Sequence, residues 1–469
     1  MKSECRTWRP PSLKERALLE EFFRRSREIG QNVVFLKNYE RFPEEIGRDV
    51  DIYVPRDATK RMKALLFQVA SGLGEFRVHE SRRSYVHSMF FTFKGDEARS
   101  LQVDFIPGSF TWHGLVFIPD DSPILSGCRR SGDFLVLSPG VQAAYLLLQN
   151  LLWGKKIPLK YVPLIKAATD SQEGRTTYER TISEALGPGA LHELTPEKLD
   201  SLASFGQLRS LSLKIKLSLL SRNIATRGFS RTARSWIEYF LTELALYLKP
   251  SAPVVAVYGP DGSGKTTLLK VISVELKDLF AGQCLQLHLR PRLLPEIGIL
   301  LGVREPLAFG TTVTPGKHSH GFWTNLARTL YYLIDVWIGH AVLIRRRLGQ
   351  FFLVLFDRYS DDILVDPTRY GHEKVGILER CFSAALPRPD LGYVLIGPPE
   401  LIHARKPELS IEAIKTLLGR YQAFAQERNY RILDITRPPQ ELVMQVRSDV
   451  HAFLYLRAAR LKDEARSHQ

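Results

Sequence analysis

The chain has 469 residues, about three domains' worth, and its 44% hydrophobic and 25% charged content excludes a disordered or collagen-like polymer. Its four cysteines, Cys5, Cys128, Cys284 and Cys381, show no paired spacing, which excludes a disulfide scaffold and a Cys-rich zinc site and fits a reducing cytoplasm. The net charge of +15 points to anionic partners. The cations lie in small separate clusters such as Arg345-Arg346-Arg347, without the basic stripe and interleaved aromatics of a nucleic-acid binder, so a small anionic molecule is the expected partner and nucleic acid is not. The first residues hold no apolar run of the secretory type, and a cytoplasmic location is expected.

Residues 1–132 mix short β-type runs with helical ones. Predicted strands are Val33–Lys37, Asp49–Val54, Met89–Phe93, Leu101–Ile106 and Leu115–Ile118. The strict alternation of Asp49-Val50-Asp51-Ile52 puts both aspartates on one face of a strand and the two apolar residues on the other. Gln102-Val103-Asp104-Phe105 repeats the device. Three carboxylates converging from neighbouring strands can hold Mg²⁺ ions that activate an attacking oxygen and steady a nucleotide's phosphates. The plainer alternative is a half-exposed strand with Asp49 paired to a cation such as Arg48. The pattern is similar to the nucleotidyltransferase superfamily shared by polymerase β and the aminoglycoside nucleotidyltransferases. That resemblance implies an α+β domain over roughly residues 30–120, with Asp49, Asp51 and Asp104 as metal ligands. The superfamily's glycine pair is replaced here by Phe35-Leu36-Lys37-Asn38, with Lys37 as a candidate phosphate contact.

Residues 133–250 read as a helical extension and linker, broken once at Gly187-Pro188-Gly189 and closed by Lys249-Pro250-Ser251-Ala252-Pro253. Lys160 and Tyr161 are candidates to face the first domain's cleft. Further on, Thr329–Ile344 is apolar but short, and it contains Asp335 and His340. A buried helix is expected there rather than a transmembrane segment, with peripheral membrane contact through the following arginines as the alternative.

From residue 251 to 469 strands and helices alternate, as in a parallel α/β sheet with helices on both faces. Val254–Tyr258 is a buried strand pattern leading into Gly259-Pro260-Asp261-Gly262-Ser263-Gly264-Lys265-Thr266-Thr267 and then an apolar helix. This G-x-x-x-x-G-K-T run in a strand–loop–helix setting predicts a phosphate-binding loop, with Gly259 through Thr267 around the phosphates of ATP. Lys265 would neutralise the β- and γ-phosphates, and the Thr266 hydroxyl would ligate Mg²⁺. Phe351–Phe356 predicts a second buried strand ending in Asp357-Arg358-Tyr359. Asp357 is the candidate for the Mg²⁺ shell, and Arg358 the candidate clamp on an anionic acceptor. After a third strand, Leu391–Ile396, the Arg405-Lys406 pair is a candidate lid over transferring phosphates. Arg290 and Arg292 are further candidates for an acceptor anion.

The phosphate loop, Asp357-Arg358-Tyr359 and the Pro398-Pro399-Glu400 to Arg405-Lys406 segment together resemble the thymidylate kinase branch of P-loop nucleoside monophosphate kinases, over roughly residues 252–460. The resemblance implies a five-stranded parallel sheet, MgATP as donor and a phosphomonoester or sugar-linked acceptor. The base-holding run that follows Tyr359 in that family is replaced by Ser360-Asp361-Asp362, so thymidylate is not the expected acceptor. This stretch looks closer to thymidylate-kinase-like proteins of bacterial surface-polysaccharide gene clusters. The expected enzyme is a kinase with nucleotidyl transfer as a second candidate activity. The alternatives are a P-loop NTPase switch carrying a dead nucleotidyltransferase-like binding module, or an enzyme processing nucleic-acid ends.

Overall fold

The computed structural model describes residues 8–31, 33–47, 49–95, 99–120, 127–154, 157–198, 208–276, 279–280, 283–289, 291, 293–294, 322–367 and 375–467. The chain divides into two units, Met1–Leu244 and Ala245–Gln469.

The strands of the first unit are β1 (Trp8–Arg9), β2 (Val34–Phe35), β3 (Ile46–Gly47), β4 (Asp49–Val54), β5 (Phe76–Arg82), β6 (His87–Phe93), β7 (Leu101–Pro107), β8 (Phe110–Trp112), β9 (Leu115–Ile118), β10 (Arg129–Ser131) and β11 (Phe134–Val136). Seven of them form a mixed sheet of order β10-β11-β2-β4-β7-β6-β5. Alternation sorts the central strands between two cores. Val50, Ile52 and Phe105 face Leu18, Leu19, Phe22 and Phe23 of the helix Leu13–Glu28. Ser12 and Glu15 start that helix with a reciprocal capping box. Tyr53 and Ile106 point the other way and pack with the helix Pro139–Leu152, which is apolar nearly all round and correspondingly buried. Residues 134–136 extend the sheet by pairing parallel to β2, and the helices after them share its second core. The first sequence zone and the second as far as Leu244 therefore fall in one unit.

The second unit holds β12 (Val254–Tyr258), β13 (Cys284–His288), β14 (Leu353–Asp357), β15 (Leu391–Ile396) and β16 (Arg431–Asp434). All neighbours are parallel, in the order β13-β14-β12-β15-β16. β12 and β14 are buried along their whole length, which is why they read as unbroken apolar runs. The order reverses direction at β12, so a crevice opens at the carboxyl ends of β12 and β14, where ligands bind in open α/β sheets. The strand predicted from Phe351 begins at Leu353, because Phe351 turns through a positive φ of 62°. The helix Phe322–Gly339 departs from expectation. It buries Val336 and Asp335, but Leu330, Ile334, Trp337 and Ile338 are exposed, so it is not a core helix on every face. Among the described residues no helix is long and apolar enough to cross a membrane.

Candidate functional site

In the second unit the loop from β12 into the helix Lys265–Glu275 takes its shape from glycine. Gly262 and Gly264 hold φ of 87° and 91°, a region that side chains disfavour. A Cβ on Gly262 would stand 2.8 Å from the Ile402 carbonyl oxygen, so the bare backbone also admits the helix Pro399–Arg405. That helix brings an Arg405 guanidinium nitrogen within 3.9 Å of where a Gly264 Cβ would lie. Arg405 itself is exposed, and Lys406 pairs with Glu408 at 3.2 Å.

Lys265 is 5% exposed, and its ammonium donates to the Pro260 carbonyl at 2.8 Å. Burial, followed by the positive charge of Arg358, brings its pKa down to about 7. The Thr266 hydroxyl donates to Asp357 Oδ2 at 2.7 Å across the crevice between loop and strand end. The other carboxylate oxygen, Asp357 Oδ1, is buried without a hydrogen-bond partner. A buried carboxylate oxygen with no donor beside a threonine hydroxyl is a fitting donor set for Mg²⁺, which takes hard oxygen ligands and keeps several waters. Thr267 lies exposed one residue on, while Ser263 is buried inside the loop.

Arg358 sits below the loop. It is 2% exposed, has a φ of 61°, and donates to the Gly259 carbonyl at 2.9 Å and to Asp261 at 2.7 Å. Its Nε lies 3.6 Å from Asp362. This guanidinium braces the loop from within the fold, whereas the sequence reading had it open to an acceptor. Sequence reasoning also missed the part played by the two aspartates that follow. Tyr258 and Tyr430 both donate to Asp361, at 2.7 and 3.2 Å, and Tyr421 donates to Asp362 at 2.8 Å. Burial pushes Asp361 up to about 6. The Ser360-Asp361-Asp362 turn is thus a buried polar anchor tying β12 and the helix Ile411–Arg428 to the strand end that carries Asp357. The signal for it was two adjacent aspartates after a buried strand together with tyrosines at the ends of predicted strands. Arg290 and Arg292 lie outside the described residues.

In the first unit β4 and β7 pair in parallel with Asp51 opposite Asp104 and Asp49 opposite Gln102. Ligand oxygens of Asp49, Asp51 and Asp104 all lie within 4.8 Å of one another. The three expected carboxylates therefore converge, on the sheet face turned toward the helix Pro139–Leu152. Lys37, just past β2, reaches into the same place. Its ammonium donates to Asp49 at 3.2 Å and lies 2.9 Å from Asp51 Oδ2, while only 14% of its side chain is exposed. Both oxygens of Asp104 accept from the Gln102 amide at 3.0 Å, and Ser88 is a further hydrogen-bond partner.

Burial and the neighbouring charge of Asp49 hold Asp51 well above the usual carboxylate range, and the same two causes push Asp104 up to about 6. Burial would raise Asp49 as well, but the Lys37 ammonium brings it below its ordinary value. Burial opposes the charge on Lys37 too, yet Asp49 and Asp51 outweigh it and hold the ammonium firmly protonated. The donor set suits a hard divalent cation, and a cationic side chain of the chain itself already stands against two of its three members. Lys160 donates to Asn38, the neighbour of Lys37, at 3.0 Å, and stacks its ammonium over the Tyr161 ring at 4.7 Å. Those two residues border the cluster through Asn38. Arg48 lies outside the described residues.

No family model matches this chain, and no curated protein does. Among solved structures it is similar to a thymidylate kinase from Ehrlichia chaffeensis, at 17% identity and a TM-score of 0.27 over 39% of this chain and 87% of that one. At that score the likeness carries no argument, and the functional reading rests on the geometry of the sites.

Proposed function

We propose that the second unit is an ATP-dependent phosphotransferase of the P-loop nucleotide-kinase kind, moving the γ-phosphoryl group of MgATP to a phosphomonoester or sugar-linked acceptor. The observation that carries this reading is the Thr266–Asp357 contact beside Lys265, with Asp357 Oδ1 buried and unsatisfied. In this reading the amides of residues 259–267 and the helix N-terminus cradle the phosphates, and Lys265 regains its full charge against them. Thr266 and Asp357 would hold Mg²⁺, which would supply neutralisation of the charge on the transferring phosphates. Arg405 closes from the rim. Arg358 is a positioning residue for the loop, because clamping an acceptor would require it to leave Asp261 and the Gly259 carbonyl. The acceptor then meets the site beyond the Ser360–Leu364 turn, where the anchored aspartates leave no base-holding run of the thymidylate type. Nucleotidyl transfer in the first unit is the second reading, favoured by the convergence of Asp49, Asp51 and Asp104.

Incubation with ATP, Mg²⁺ and a panel of nucleoside monophosphates and sugar phosphates, read by mass spectrometry, tests the assignment. ADP formed only with an acceptor supports the kinase. Phosphate released at the same rate without any acceptor supports the NTPase switch instead, and neither product would remove the phosphotransferase reading altogether.

A further inference from the structure

The ammonium of Lys37 stands where a cation brought from outside would stand. It lies 3.2 Å from Asp49 and 2.9 Å from Asp51, and with Asp104 these are the residues whose carboxylate oxygens converge. A single ammonium thus faces a buried group of carboxylates and leaves it short of counter-charge. Two further groups beside the cluster lack partners among the described residues. The Tyr145 hydroxyl is buried without a hydrogen bond, and it lies close enough to Asp51, Lys37 and Asp49 for their charges to act on it. Gln102 donates its amide nitrogen to Asp104, while its amide oxygen is buried and accepts nothing. Both residues are more than nine-tenths buried. Buried polar atoms are rarely left unpaired, so a spare donor and a spare acceptor beside an under-neutralised cluster point to a ligand that brings its own oxygens and water.

A second cation stands at the same mouth. Lys160 donates to Asn38 Oδ1 at 3.0 Å and lies over the Tyr161 ring at 4.7 Å, and among the described residues no carboxylate forms a salt bridge with it. It is near enough to Lys37 for the two positive charges to repel. The side chains of Asp49 and Lys37 are 30% and 14% exposed, so the cluster is reached from solvent past these residues. An anion carrying several charges meets Lys160 without breaking an ion pair, but it gains Lys37 only if that ammonium leaves the aspartates. A divalent cation, which takes carboxylate oxygens as ligands, needs the position that Lys37 would vacate. Each ligand therefore removes the obstacle to the other.

Resting on the nucleotidyl-transfer reading of this site, we propose that Lys37 is an exchangeable cation. It neutralises the metal-free cluster, and it moves onto the phosphates of an incoming polyphosphate ligand, beside Lys160, when a divalent metal ion takes its place against Asp49 and Asp51. Metal and phosphate are then coupled through one side chain, and each strengthens the binding of the other. Acylation of lysines in the folded full-length chain, read peptide by peptide by mass spectrometry, follows Lys37 directly. The probes are Mn²⁺ and inorganic tripolyphosphate, with free Mn²⁺ held equal in every sample that contains it. Lys37 should be labelled slowly in the metal-free chain, several-fold faster with Mn²⁺ alone, and slowly again once tripolyphosphate is added. Lys160→Met should keep the acceleration by Mn²⁺ and lose most of the protection by tripolyphosphate. Melting curves run alongside separate two kinds of failure. If Mn²⁺ raises a transition that Asp51→Asn makes unresponsive, yet leaves the labelling of Lys37 unchanged, metal binds without displacing the lysine; the exchange is then wrong and the metal site stands. If Lys37 remains fast to label with tripolyphosphate present, it has not moved onto phosphate, and the exchange is again wrong. If Mn²⁺ changes neither labelling nor melting, the nucleotidyl-transfer reading falls together with the exchange.

Discussion

Two lysines show how one residue type is put to opposite uses by what surrounds it. Lys265 is buried near another cation, so it sits at about 7 and is partly neutral under physiological conditions. A phosphate arriving at the loop restores its charge, so binding must draw a proton from solvent between about pH 7 and the ordinary lysine value. Nucleotide binding at pH 8.5, followed calorimetrically in buffers of different ionisation enthalpy, should show uptake approaching one proton, and affinity should weaken as pH rises. If the second unit acts as proposed, Lys265→Met should abolish the uptake and cut turnover by orders of magnitude while the chain stays folded, since the side chain then serves phosphate rather than a core. Lys37 faces the reverse situation, held charged by Asp49 and Asp51. Lys37→Met leaves three carboxylates together without their cation. It should cost on the order of 3 kcal/mol, the low end for a buried pair because Asp49 is 30% exposed. Mn²⁺ should then raise the melting temperature of the variant further than that of the wild type, since the metal no longer competes with an ammonium. An equal response in both proteins would mean that Lys37 does not occupy the cation position.

At the scale of the element, the Ser360–Leu364 turn shows what the sequence could and could not disclose. The strand–loop–helix around Gly259 to Thr267 was legible because its glycines, lysine and threonine act locally. Asp49, Asp51 and Asp104 were legible because a strand's period of two assigns faces without knowledge of the partner. Lys37 was read as a possible phosphate contact, since nothing in Phe35-Leu36-Lys37-Asn38 says that its side chain ends between two aspartates twelve and fourteen residues on. Asp361 and Asp362 were read only as a departure from a base-binding run. Their partners, Tyr258, Tyr421 and Tyr430, come from distant segments that only tertiary packing brings together. β5 was missed because its apolar residues are mixed with arginines and a serine, β10 because it has no apolar residue, and β11 because it is a run of only three, so that pairing with neighbours decides their state. The turn yields its own prediction. Asp361 titrates near 6 in the folded chain and lower in the unfolded one, so folding favours its neutral form. The stability this contributes is fully present below about pH 4 and is lost as pH rises through 6. Asp361→Asn keeps an acceptor for Tyr258 without the charge. Between pH 4 and 6.5 the stability difference between variant and wild type, from denaturant melts, should move steadily in the variant's favour, and a constant difference would show that Asp361 is not the titrating group.

At the scale of the whole molecule, each unit carries its own core and its own charged site, which makes the two sites separable in a single experiment. Domains with independent cores tend to unfold as separate cooperative steps. Calorimetry of the full chain should resolve two transitions, or one broadened one, and a ligand bound only by a folded unit raises that unit's transition by mass action. ADP with Mg²⁺ should lift the transition that Lys265→Met makes unresponsive. Mn²⁺ alone should lift the other, and Asp51→Asn should remove that response while leaving the ADP shift intact. The Asp51→Asn chain without metal should melt slightly above the wild type, because the substitution relieves repulsion among carboxylates whose pKa values burial and Asp49 already hold high. If Asp51→Asn also erased the ADP shift, the two sites would not be separable and the two-headed reading would fail. If Mn²⁺ moved nothing in the wild type but moved the Lys37→Met chain, the lysine would be a permanent internal cation, and the first unit would be a binding module beside an active kinase.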